Sequence, residues 1–389
     1  MQGVIGRNSI ALVYNGKLMG VYHTDMHPFS LRFQFSDPNY DPTVIGPPYA
    51  PGDLPGATWE KVQGVSKNRW DWTCERDDWS DAFWYDFTDS DNIVSVIDGN
   101  TSGVKDMAGM FGYCKSLESV CWFDTSEVTD MGGMFRNCPL LETVPLFNTG
   151  NVTNMGGMFR EDPSLKSVPP FNTANVQYMG SMFFGCESLT SIPRFNTSRV
   201  TNMRWMFQGC SSLTTIPMLD TSNVEWFELM FQGCSSLTTI PNIDTSSALY
   251  VAGMFGGCSS LVSVPLIDTS RAESLNGMFS NCSSLEEVPL FDTSSATEMD
   301  SMFDGCTSLR HVPLFDTSGL TPSDPQLVDT RAYYMFRNCV SVEDGALALY
   351  QQMASQGLTP SRCYHAFENC GSNTETGAAE LAQIPNGWK

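Results

Sequence analysis

A Met-Phe pair returns every 24 residues, from Met110-Phe111 to Met302-Phe303, without an insertion or deletion. A strict period of this length marks a repeat architecture and outweighs any local propensity. Three residues after each Phe stands a Cys, from Cys114 to Cys306, with Asp162 as the exception. Three further on is a Leu, from Leu117 to Leu309, then Val or Ile, usually Pro, an apolar residue and an Asp/Asn-Thr pair. So small a unit cannot bury its apolar face alone, whereas stacked neighbours can, which predicts columns of like residues in a solenoid. The columns also account for a peculiar composition. Of 21 Met, 16 fall at two positions of the unit, and 9 of 13 Cys fall at one, counting Met335 and Cys339.

Within a unit, Leu-x-x-Val/Ile-Pro-x-Phe reads as a brief parallel strand followed by turn residues. The Asp/Asn-Thr-Ser after it suits an Asx turn or a helix N-cap. Val128, Met131, Met134 and Phe135 fall on one helical or 3-10 stripe. The unit C-x-S-L-x-x-I/V-P-x-F-D-T-S-x-V-x-x-M-x-x-M-F resembles the repeat of BspA-like leucine-rich-repeat proteins of bacterial surfaces. The likeness runs from about residue 86 to 318 and more weakly to 370. It implies a leucine-rich-repeat-like repeat solenoid of short parallel strands plus helical or 3-10 turns. It also implies adhesion or recognition of a protein or glycan at a cell surface or outside the cell, as in gut bacteria.

The opening residues show no basic region followed by an apolar one, the pattern of a secretory leader. A second expectation is therefore a structural or receptor-binding part of a particle such as a bacteriophage virion, contacting neighbouring subunits. Residues 1–85 do not repeat and read as a small β-rich N-terminal cap or docking module. Asn15-Gly16 between apolar runs signals a hairpin, Ser30–Phe35 alternates as a strand, and Pro38–Gly56 is a loop. Trp59, Trp70, Trp72, Trp79 and Trp84 crowd the stretch that follows, and the FQFSDPNYDPT segment also resembles what precedes BspA-like repeats. The solenoid spans 86–339, with an insertion near 319–327. Residues 340–389 form a helical C-terminal cap, with Ala346, Leu349, Tyr350 and Met353 on one helix face.

The net charge of −22 argues against a nucleic-acid partner, which would need Lys and Arg for its phosphates. No apolar run is long enough to span a bilayer, so membrane insertion is not expected. Neither a nucleophile, phosphate-binding nor dinucleotide motif appears, so no catalytic residue, cofactor or metal is assigned and the chain reads as a non-enzyme. His23 and His27 have loosely metal-like spacing but no clustered companions. The Cys column reads as buried free thiols rather than disulfides, since stacked Cβ vectors run parallel. The structural column Asp124, Asn148, Asn172, Asn196, Asp220, Asp244, Asp268, Asp292 and Asp316 reads as backbone caps, with a bound cation as the alternative. Its five consecutive Asp, at roughly 5 Å, would repel by about 0.8 kcal/mol per neighbour in water.

Departures from the repeat mark candidate binding residues. Arg204-Trp205 and Glu228-Leu229 replace small pairs such as Gly132-Gly133, and Tyr178, Trp226 and Tyr250 replace Asp or Asn. Clustered Trp, Tyr and Arg are the side chains of interaction hot spots. The residue after Pro also varies, as at Trp122, Arg194, Met218, Leu266, Leu290 and Leu314, which marks an exposed face.

Overall fold

The computed structural model describes the backbone of five strands before residue 77, and then residues 93–320 and 331–389. The Pro38–Gly56 stretch, Asn15-Gly16, His27, Trp79, Trp84 and most of the insertion near 319–327 lie outside the described residues. The chain divides into two compact units, Met1–Tyr178 with Met182–Leu189, and Met179–Ser181 with Thr190–Lys389.

The first unit begins with β1 (Ser9–Tyr14) and β2 (Lys17–His23), paired antiparallel on either side of Asn15-Gly16 in the sequence. A five-stranded sheet follows, built from β3 (Ser30–Phe35), β4 (Ala57–Gln63), β5 (Trp70–Arg76), β6 (Ile93–Asn100) and β7 (Ser119–Val120) in the order β4-β5-β3-β6-β7. Trp59 lies on β4, and Trp70 and Trp72 on β5. The last pair, β6 with β7, is parallel. Since β7 belongs to the first 24-residue coil, the sheet passes its hydrogen bonding directly into the stack.

From there each unit is a pile of 24-residue coils held by one recurring backbone pattern. In the first unit the N–H groups of Met107, Gly109, Phe111 and Tyr113 donate to the carbonyls of Asp130, Gly132, Met134 and Arg136 in the next coil. The intervening Met110, Gly112 and Cys114 donate three residues back, to Met107, Gly109 and Phe111. In the second unit Phe227, Leu229, Phe231 and Gly233 repeat the outward set, and Met230, Gln232 and Cys234 the inward one. Alternation of this kind needs a left-handed residue every fourth position, supplied for example by Gly109 (φ 65°) and Tyr113 (φ 61°). A continuous helix cannot carry such residues. Of the helical or 3-10 stripe expected at Val128–Phe135, the structure keeps single turns closed three residues back, as Met134 N–H to Met131, rather than a continuous helix, and it buries the same side chains.

The strand expectation needs correction as well. Parallel bridges fall mostly at the start of the turn segment, at Asp106–Asp130, Asp130–Asn154 and Asn154–Tyr178, then at Asn202–Trp226 and Trp226–Tyr250. The apolar segment contributes an isolated bridge such as Ser263–Glu287. Proline explains this, because Pro145, Pro193, Pro265 and their equivalents have no N–H for a ladder. In the first coil Cys121 takes the proline's place, and its N–H donates to Val96 at 2.8 Å. That is where the strand β7 forms.

Buried columns fill the interior of each pile. Rings of Phe111, Phe135 and Phe159 stack at 5.7 and 5.8 Å in the first unit. In the second unit Phe231, Phe255, Phe279 and Phe303 stack at 5.6, 5.5 and 5.4 Å. The column cysteines are buried and form no disulfide. The Cys138, Cys186, Cys234, Cys258, Cys282, Cys306 and Cys339 thiols donate to a Phe carbonyl one coil back, as Cys258 does to Phe231 at 3.1 Å. Burial pushes the Cys282 thiol up to about 12, so it stays protonated.

The Asp/Asn column forms Asx turns. One carboxyl or amide oxygen accepts the N–H two residues on, from Asp124–Ser126 to Asp316–Ser318. The adjoining threonines are buried, and several reach across coils, Thr125 to the Asn148 carbonyl at 2.8 Å and Thr293 to that of Asp316 at 2.8 Å, while the Thr221 and Thr245 hydroxyls have no partner.

Two helices end the second unit, α1 (Ala346–Ser355) and α2 (Glu375–Gln383), with one more stacked turn segment between them, whose Ala366 and Glu368 carbonyls accept from Phe336 and Asn338. Ala346, Leu349 and Met353 bury one face of α1, and Tyr350 meets Trp388 edge-on at 5.2 Å. Gln352 donates to the Phe315 carbonyl at 2.7 Å, and Gln356 accepts from Thr317 at 2.6 Å. In α2, Thr374 caps the helix by accepting from Gly377 N–H at 3.0 Å. A Cβ on Gly377 would collide with the Val342 carbonyl. Thr374→Ala should cost about 1 kcal/mol, read as a lower urea midpoint.

Candidate interaction surface

The candidate binding residues separate by unit and by segment of the coil. Trp122 and Tyr178 belong to the first unit. Trp122 is half-buried, while Tyr178 is exposed and lays its ring where a side chain at Gly156 would sit. Glycine at 156 is therefore matched to the tyrosine one coil on.

In the second unit the turn segments bring Arg204, Trp205, Trp226, Leu229 and Tyr250 onto neighbouring coils. The Trp226 and Tyr250 rings stack with centroids 3.9 Å apart and planes 21° from parallel. Their positions are bridged in parallel, so coil geometry alone sets the stack. The Arg204 guanidinium lies 4.0 Å from the Trp205 ring centre and 3.0 Å from a Glu228 carboxylate oxygen. One guanidinium face is thus held by an indole while its edge meets a carboxylate, a preorganised planar cation. Trp205 and Leu229 both take left-handed backbone, at φ 60° and 58°. Glycine holds that position at Gly109, Gly133, Gly157, Gly253 and Gly277.

Beyond Leu229 the small residues Ala252, Gly253, Gly256, Gly257 and Gly277 leave a shallow depression of about 560 Å³. Glu228, Gln232, Asn276 and Asp300 edge it with polar groups. The side chain of Leu229 fills the space over Gly253 and walls one end. Sequence reading marked Leu229 but not this hollow, whose signal was the run of Gly and Ala in the two coils that follow.

Arg194 and Met218 lie elsewhere on the coil, after the prolines. With Asn196, Asp220, Asn242 and Asp244 they line a groove of about 660 Å³. Both are exposed, Met218 to 58%. In this row of the Asp column the Ser246 hydroxyl and N–H hold the Asp244 carboxyl below its usual range.

Among the described residues no three or more His, Cys, Asp or Glu converge as metal ligands would. Among those residues, too, no helix is long and apolar enough to cross a membrane.

A family described as "Mycoplasma protein of unknown function, DUF285" matches four overlapping stretches, residues 81–189, 142–237, 163–265 and 251–345. No curated protein matches the chain. A crystal structure of a leucine-rich repeat protein from Eubacterium ventriosum is 18% identical, with a TM-score of 0.34. The match covers 62% of this chain and 81% of that one.

Proposed function

We propose that this chain, which belongs to the DUF285 family, is a non-enzymatic recognition protein. In this reading its second unit grips a protein or glycan surface through Arg204, Trp205, Trp226 and Tyr250 and the depression beside them. It works as an adhesin would, at a cell surface.

What carries the reading is the backbone at Trp205 and Leu229. A left-handed conformation costs a side-chain-bearing residue about 1–2 kcal/mol, and glycine avoids that cost. Trp205 and Leu229, in successive coils, carry that backbone cost where Gly157 and Gly253 do not. Strain of this kind collects where a surface does work. The paired Trp226 and Tyr250 rings offer a flat apolar platform, Arg204 a fixed cation, and the depression rim a set of hydrogen-bonding groups. Hollows of this volume take small ligands or single protruding loops.

A glycan and protein array probed with the purified chain tests the proposal, with Trp205→Gly and Tyr250→Ala alongside. Relief of the left-handed strain should offset lost packing in Trp205→Gly, leaving stability within about 1 kcal/mol of wild type. Specific array signals should fall at least about tenfold in both variants. Undiminished signals in variants that still melt normally would remove this surface from the function. A stability loss of several kcal/mol in Trp205→Gly would make Trp205 a packing residue.

A further inference from the structure

We propose that a second face of the same unit, formed by Leu266, Leu290 and Leu314, docks an amphipathic helix of a partner protein. The helix carries one apolar stripe flanked by Lys or Arg. This face lies after the prolines of the coil and does not depend on the Trp205 cluster. The three leucines occupy one position in consecutive coils and are 64, 62 and 54% exposed. A coherent apolar row on a chain of net charge −22 is out of keeping with its surroundings. Beneath it Ile267, Phe291 and Phe315 are buried, so the row stands on a packed floor.

Charge and geometry select the occupant. Two residues beyond each leucine stands Asp268, Asp292 or Asp316, all exposed. One oxygen of each is held in its Asx turn, through Ser270, Ser294 and Ser318. Hydrogen bonding from Ser294 and Ser318 keeps Asp292 and Asp316 below the usual carboxylate range. The apolar row is therefore bordered by a row of exposed carboxyl groups. A second copy of this chain would bring the same sign against itself, and anionic lipid is repelled likewise.

The residue before each leucine is proline, at 265, 289 and 313, so no N–H is free there to pair with an added strand. Recognition by side chains alone is how a helix lies in a groove. Equivalent rings in these coils repeat at 5.5 and 5.4 Å, widening to 6.3 Å under the row. A helix advances about 5.4 Å per turn, so three turns stay within about 2 Å of register with three coils.

The probe is a fluorescein-labelled Leu/Lys peptide of about 18 residues, with leucines at i, i+4, i+7 and i+11. Its binding to the full chain is read by anisotropy across a salt series. Leu290→Ser with Leu314→Ser should weaken binding at least about tenfold. Asp292→Asn with Asp316→Asn should weaken it about threefold and flatten its salt dependence. Trp205→Gly should bind as wild type, which separates this face from the array result. The proposal fails if the peptide does not bind, if the leucine variant binds equally well, or if a scrambled peptide of the same composition matches it. It fails too if sedimentation shows a dimer of the chain that Leu290→Ser dissolves, because the occupant is then a second copy.

Discussion

Phe255→Ala should destabilise the second unit by about 3–5 kcal/mol, the usual cost of deleting a fully buried aromatic ring. Its ring is wholly buried between Phe231 and Phe279, at 5.6 and 5.5 Å. Collapse into the space is blocked, because the backbone at this point is pinned from both sides. The Phe255 N–H donates to Met278 at 2.9 Å, and its carbonyl receives the Cys282 thiol at 3.1 Å. Each coil bonds its neighbours, so damage should spread by nearest-neighbour coupling rather than through a common core. Urea unfolding should show a lower midpoint, and amide exchange should speed first around residues 227–258. The exposed Leu290→Ala is the control, at about 0.5 kcal/mol or less. A Phe255→Ala cost below about 1 kcal/mol would mean that the coils close up after all.

Asp162→Asn should have the opposite sign and a marked pH dependence. Asp162 stands in the Cys column, fully buried, where its neighbours are protonated thiols. One carboxyl oxygen accepts the Cys138 N–H at 2.6 Å, and the other has no partner. Burial is the main cause that raises this carboxyl well above its ordinary range, with Glu161 adding to it and the Cys138 N–H opposing. The folded chain thus holds the proton more tightly than the unfolded one, so stability falls as pH rises from about 4 toward the folded pKa. An amide keeps the acceptor and removes the ionisation. At pH 4 variant and wild type should melt together, whereas at pH 8 the variant should be more stable by about 1–3 kcal/mol. Exposed carboxylates such as Asp292, lowered by Ser294, lose their contribution as pH falls, but equally in both proteins. Thermal melts from pH 4 to 8 decide it, and a difference that does not grow with pH would mean that Asp162 is ionised throughout.

The period, the column membership and the choice of buried side chains were legible because stacking turns one residue's environment into nine copies. Local backbone was less legible. Val128 to Phe135 has helical spacing, but spacing does not show that residues such as Gly133 turn left-handed. The clue was the recurrence of Gly or Asn at two positions four apart, Gly133 with Asn137 and Gly277 with Asn281. Those are the residue types that tolerate φ near 60°. The expected parallel strand survives as β7 and as isolated bridges, and one atom cuts it short elsewhere, the missing proline N–H. Trp205 and Leu229 stood out by size, yet their strain is invisible in sequence, since it belongs to the position and not to the residue. The depression beyond Leu229 and the leucine row arise from absences and exposures that only stacked coils define.

A pile of identical coils has no intrinsic reason to stop, and an open end is a template on which further chains could polymerise. In the second unit Gln352 and Gln356 of α1 meet the Phe315 carbonyl and the Thr317 hydroxyl. In the inner coils of Thr197, Thr269 and Thr293 that hydroxyl reaches the coil after it. At this corner of the coil the helix therefore spends two amides in place of the next coil's backbone. Another chain pairing at this corner must first strip away an intramolecular helix with its buried Leu349 and Met353. Two glutamines thus seal one corner of the pile, while the turn segments go on stacking, Phe336 N–H on the Ala366 carbonyl and Asn338 N–H on that of Glu368.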